Sequence, residues 1–86
     1  MIMEKRAFIT LAYNGEEHDF DLPMQTPIKE LEEKLVVLIP CVFKCLSLED
    51  EVFFFESDAG YLSPDLSLGE QGVSDGTRLQ IRILTD

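Results

Sequence analysis

The sequence predicts an α+β domain in which one helix lies across a mixed sheet of four to five strands. Three observations predict it. Asn14-Gly15 stands between two strand-like runs, residues 28–39 carry apolar side chains at helical spacing, and the chain closes on an alternating strand over 77–84. With 86 residues there is one domain at most, spanning 1–86. Such a chain has no room for both a core and a large substrate cleft.

Residues 6–22 read as a β-hairpin. Arg6 to Tyr13 is rich in strand formers, and Glu16 to Leu22 alternates. Asn14-Gly15 is the strongest short hairpin signal, because a type I′ turn needs two residues of positive φ. A two-residue turn sets Tyr13 opposite Glu16. It then pairs Leu11 with His18, Ile9 with Phe20 and Ala7 with Leu22 on a nearly apolar face. The other face pairs Ala12 with Glu17, Thr10 with Asp19 and Phe8 with Asp21. Turn chemistry and hydrophobic pattern therefore agree on one register.

Pro23 ends the second strand. Thr26-Pro27 opens a helix, with Thr26 as cap and Pro27 in the first helical position. Ile28, Leu31, Leu35, Leu38 and Ile39 fall on one stripe, and Glu30 and Lys34 form a favourable i,i+4 pair. Pro40 is expected to end or kink the helix. Val37 points away from the stripe, where either the segment Cys41 to Leu48 or a partner protein would cover it.

Glu51 to Glu56 reads as a third strand, Ser57 to Gly60 as a turn, and Tyr61-Leu62 as a short return strand. Pro64-Asp65 breaks the chain. Leu66, Leu68 and Val73 are apolar anchors in a compact loop or a short 3₁₀ turn. Ser74-Asp75-Gly76 is a tight turn. In the last strand Leu79, Ile81 and Ile83 point inward, and Arg78, Gln80 and Arg82 outward. One helix must cover one face of this sheet. The economical topology sets the first and last strands side by side and parallel in the centre, since such crossovers are right-handed. That arrangement is the β-grasp.

Composition excludes several functions. The formal net charge is −10, from 17 acidic and 7 basic residues, which argues against nucleic acid and anionic membrane surfaces as partners. The longest apolar run, Leu35 to Phe43, is too short to span a bilayer and contains Pro40, and the start lacks a signal-peptide core. The expected location is the cytoplasm. Cys41 and Cys45 are too few for a disulfide scaffold or an all-cysteine zinc site. His18 has no nucleophile beside it and reads as a structural, partly buried histidine. Glu17, Asp19 and Asp21 share a strand face and read as a solvated surface that discourages sheet-to-sheet aggregation. Glu49-Asp-Glu51 is an acidic lead into the third strand. No glycine pattern matches a phosphate loop. No cofactor, metal or catalytic residue is expected.

The aromatic run carries the functional expectation. Phe53, Phe54 and Phe55 are consecutive, so at least one must point away from the helix-covered core. Phe8 and Leu84 are also outward. An outward Phe53 or Phe55 would join them in an apolar patch on the open sheet face, with Arg82 beside it, and such patches mark protein contacts. Self-association and cover from the chain's own ends are the competing explanations.

Two segments resemble a known family. Asp21-Leu-Pro-Met-Gln-Thr-Pro-Ile-Lys-Glu-Leu31 is similar to the strand-to-helix entry of ubiquitin-like domains. Leu66-Ser-Leu-Gly-Glu-Gln-Gly-Val-Ser-Asp-Gly-Thr-Arg-Leu79 resembles their L-x-L-x-x-x-G-I-x-(D/N)-G-x-x-L ending. Within that superfamily the chain looks most like the YukD/EsaB-type accessory proteins of bacterial type VII secretion. Cys41, Phe43 and Cys45 depart from that pattern. The resemblance implies a protein-binding adaptor, and it makes the open sheet face the docking surface. Its partner would be a secretion-system membrane component or ATPase, and the chain itself a monomer or weak homodimer. Conjugated modifiers and sulfur carriers use a terminal Gly-Gly, whereas this sequence reads Ile83-Leu84-Thr85-Asp86, so a non-conjugated protein is expected. The alternatives are an interaction domain of a larger protein, a carrier with further C-terminal residues, and a small homodimeric structural protein.

Overall fold

A computed structural model describes residues 5–44, 46 and 52–84. In chain order these form β1 (Arg6–Tyr13), β2 (Glu16–Pro23), α1 (Ile28–Val42), β3 (Val52–Ser57), β4 (Gly60–Tyr61), a 3₁₀ turn at Gly69–Gln71, and β5 (Arg78–Leu84). The sheet order is β2-β1-β5-β3-β4. β1 and β5 run parallel in the centre and every other pairing is antiparallel. This is the β-grasp predicted from the element order.

The hairpin has the expected register throughout, from Tyr13 opposite Glu16 to Ala7 opposite Leu22. Asn14 and Gly15 take φ of 51° and 83°, the two left-handed positions a type I′ turn requires. Ile9 and Leu11 of β1, Leu79 and Ile81 of β5 and Phe55 of β3 all lie in the core with Ile28, Leu31, Leu35 and Ile39 of α1. Phe43 and Leu46 add to the same cluster just past the helix.

Four details of the helix differ from expectation. Thr26 is not the cap: Pro27 holds that position without a side-chain cap bond. The first free amides, Ile28 and Lys29, instead donate to the Leu66 and Pro64 carbonyls at 3.0 and 2.9 Å. The 64–66 loop therefore satisfies the helix start. Pro40 does not end the helix, which runs on to Val42. A proline in the last turn removes only one amide, and the Phe43 N–H still closes on the Ile39 carbonyl at 2.9 Å. Leu38 is not on the buried stripe; it is 47% exposed, because Ile39 takes the core position beside it. Among the described residues Glu30 and Lys34 form no ion pair, and Lys29 pairs with Asp65 at 3.6 Å.

The loop from 62 to 77 is fastened by side chains. Gln71 accepts the Ser63 N–H at 2.6 Å and donates Nε2 to the Ser63, Leu66 and Ser67 carbonyls. Ser67 and Glu70 form reciprocal side-chain-to-amide bonds, each 3.2 Å. Leu68 and Val73 are buried as predicted, but Leu66 is 41% exposed. Its carbonyl, rather than its side chain, serves the fold. Gly69 passes so close to Met24 that a Cβ there would lie 3.1 Å from the Met24 carbonyl oxygen. Val37 is 64% exposed. Cys45, Ser47, Leu48 and the Glu49-Asp-Glu51 segment lie outside the described residues, as do Thr85 and Asp86. No helix among the described residues is long and apolar enough to cross a membrane.

Candidate functional site

The sheet face opposite the helix divides into two zones. The first spans β2, β1 and the start of β5. Here every carboxylate has a partner. Arg6 holds Asp21 through Nε at 3.1 Å, Thr10 Oγ1 donates to Asp19 at 2.6 Å, and Arg78 pairs with Glu17. The last bridge crosses β1 next to Ala12, which stands opposite both Glu17 and Gln80 and is 1% exposed. The small side chain leaves room for the ion pair above it. These exposed pairs add little stability each, and they leave the zone polar, with Glu17 and Asp21 paired to arginines and Asp19 held by a hydroxyl.

The second zone is apolar. Val52 stands directly opposite Leu84, and Phe54 opposite Arg82. Val52 and Phe54 share a face by strand alternation. Tyr61, on β4, packs edge-on against Phe54 with ring centres 4.8 Å apart. Val52, Leu84 and Tyr61 are 64%, 59% and 67% exposed. Arg82 borders this cluster and is tied to Glu56 by Nη2 at 2.8 Å.

The expected patch is corrected in two respects. Phe53 and Phe55 do not face outward. They stand opposite Ile83 and Ile81, both inward, and directly opposed residues share a face. Phe55 is 3% exposed and Phe53 packs against the core, the two rings edge-to-face at 5.8 Å. The outward phenylalanine is Phe54. Nor does Phe8 join Leu84. Thr10 aligns with Arg78 in the parallel pair, so Leu84 lies eight positions further along the strand direction than Phe8. At ~3.3 Å per residue that is roughly 26 Å. Phe8 is exposed, but at the opposite end, where its N–H donates to Asp75 Oδ1 at 2.7 Å. Of the five residues expected at the contact surface, Leu84 and Arg82 sit together. Val52, Phe54 and Tyr61 complete the cluster. Val52 and Tyr61 carried no sequence signal beyond their position on short strands.

His18 is half-buried on the helix side, its ring edge-on to Phe43 at 4.7 Å. Nε2 stands 3.2 Å from Glu16 Oε1 but is not aligned for a hydrogen bond. Glu16 Oε2 also accepts the Lys44 N–H at 3.2 Å. The His18 imidazole holds the Glu16 carboxyl below the usual carboxylate range, partly opposed by desolvation and helped by Lys44. This trio ties the hairpin to the helix exit.

The topology, the register and the single crossing helix are those of a ubiquitin-like domain, and comparison with solved structures shows that fold. The EccD5 ubiquitin-like domain from Mycobacterium xenopi superposes with a TM-score of 0.83 at 24% identity, over 95% of this chain and 98% of that one. The ubiquitin-like domain of the Mycobacterium tuberculosis type VII secretion protein EccD1 gives 0.75 at 21% identity, over 90% and 97%. A chain of the MycP5-free ESX-5 inner membrane complex gives 0.76 at 24% identity; 94% of this chain is covered, but only 21% of that one. No protein-family model and no curated protein sequence matches.

Proposed function

We propose that this chain is a ubiquitin-like protein-binding module of a type VII secretion apparatus, acting in the cytoplasm by docking rather than by catalysis. The observation that carries the docking surface is the contrast on one sheet face. Its carboxylates are each engaged by an arginine or a hydroxyl at one end, and Val52, Tyr61 and Leu84 stand exposed around the half-buried Phe54 at the other. Exposed apolar clusters rimmed by charge mark protein contacts. The likeness to EccD domains supports the secretion assignment, and the partner is a membrane component or ATPase of that machinery. With a net charge of −10, copies of the chain repel one another, which favours a different protein over self-association.

A pull-down from cells that carry the secretion system tests this. Wild type and Phe8→Asp are expected to recover the same secretion components, and Phe54→Asp and Leu84→Asp to lose them while keeping a native circular dichroism spectrum. Undiminished recovery by both folded patch variants would overturn the assigned surface. A second reading has its own support: this chain spans about a fifth of the ESX-5 complex chain it resembles. In that reading it is the ubiquitin-like domain of a longer protein. The mass of the native product distinguishes the two.

A further inference from the structure

Among the described residues, the edge of β2 is the longest free strand edge in the sheet. The Met24 N–H donates to the Lys5 carbonyl at 2.8 Å, which fixes the phase of the antiparallel ladder. Leu22, Phe20, His18 and Glu16 therefore turn their backbone groups toward β1. Glu17, Asp19 and Asp21 turn theirs outward. The Asp21 carbonyl is taken by Arg6 Nη2 at 2.9 Å. Among the described residues no hydrogen bond reaches the Asp21 N–H or the backbone groups of Glu17 and Asp19. An open groove of about 170 Å³ lies alongside, between β2 and α1, lined by Leu22, Leu31, Lys34, Leu35 and Leu38 among others. Leu38 and Val42 are 47% and 42% exposed and lie one turn apart on the same helix flank. Phe20, on the helix side of β2, is only partly buried.

We infer that this edge and groove bind an extended segment of another protein as an added strand, one that alternates apolar and basic residues. The unpaired backbone groups call for a strand, which satisfies them as main-chain partners. Alternation sends one set of side chains toward Leu38, Val42 and Phe20. The other set lands beside Glu17, Asp19 and Asp21, whose carboxylates are each held by one partner and retain lone pairs for lysine or arginine. The same carboxylates repel acidic strands, so the edge avoids indiscriminate pairing. This surface is separate from the Val52–Leu84 cluster, and the inference does not depend on the proposed function.

The test is an amide-resolved NMR titration with a capped heptapeptide of alternating valine and lysine, and with its valine–glutamate counterpart. The basic peptide is expected to saturate and to slow hydrogen exchange at the Glu17, Asp19 and Asp21 amides. The acidic one is expected to leave them unchanged. Leu38→Glu should weaken binding by about tenfold, since it sets a charge against apolar side chains. Asp19→Lys should weaken it roughly severalfold through like-charge contact. Phe54→Asp should leave it unaltered. Both variant positions are exposed, and their spectra report directly whether the fold persists. Absence of saturation at millimolar peptide overturns the inference. So does equal binding by Leu38→Glu and Asp19→Lys, or protection centred on Phe54 and Leu84.

Discussion

Val52 and Leu84 are direct cross-strand neighbours on the outer sheet face, and both are more than half exposed. An apolar pair that stays in water contributes modestly to folding, roughly 0.2–1 kcal/mol. Replacing both by threonine, which keeps the β-branch at position 52, is expected to lower stability by no more than about 1 kcal/mol. Urea denaturation checks this. A larger loss would mean that the pair is covered within the fold and is not a free surface.

Phe54 and Phe55 are adjacent in sequence but face opposite ways. Phe55→Ala opens a hole in the core and should cost about 3–5 kcal/mol, enough to leave a small domain largely unfolded. Phe54→Ala removes a half-buried ring that contacts Tyr61, and about 1 kcal/mol is expected. Comparable losses at the two positions, measured by thermal melts, would contradict the register of β3 on β5.

Gly15 holds a φ of 83° in the hairpin turn. A valine there suffers the left-handed clash of its Cβ, so Gly15→Val is expected to cost about 1–2 kcal/mol or more. Asn14→Gly, at a φ of 51°, should be nearly neutral because glycine adopts that conformation freely. Chemical denaturation of the two variants compares them directly.

Glu16 and Glu32 predict opposite pH behaviour. The His18 imidazole lowers the Glu16 carboxyl, so ionised Glu16 stabilises the fold above the ordinary carboxylate range. That contribution disappears as pH falls through the lowered value. Glu16→Gln should therefore be less stable than wild type near neutrality, with the gap closing in acid. Burial raises the Glu32 carboxyl, which favours the fold only while it is protonated. Its contribution is lost as pH rises through the raised value. Glu32→Gln should be the more stable protein near neutrality and lose that advantage in acid. Urea midpoints across pH 3–8 read both signs.

Local chemistry made much of the fold legible. The Asn14-Gly15 turn and the alternation around it specify the seven pairs of the β1–β2 ladder from Tyr13–Glu16 to Ala7–Leu22, because a turn type and a period of two admit one register. The helix, its stripe through Ile28, Leu31 and Leu35, and the inward set of β5 follow from spacing alone. Leu38 was misplaced because Leu38 and Ile39 both fit the stripe, and only the packing partner chooses between adjacent candidates. Thr26 was misread as a cap because the rival acceptors, the Pro64 and Leu66 carbonyls, lie nearly forty residues away in the chain.

What the residues alone determined is therefore the set of elements, the hairpin register and the helix-over-sheet topology, all products of short-range stereochemistry and periodicity. Tertiary structure decided which phenylalanine meets solvent and where the outward apolar side chains gather. A run of three identical rings carries no phase, so only pairing with Ile81 and Ile83 assigns Phe53 and Phe55 to the core. In the same way, the stagger of Thr10 on Arg78 separates Phe8 from Leu84. Strand stagger is settled by contacts between segments distant in the chain, and no local pattern encodes it.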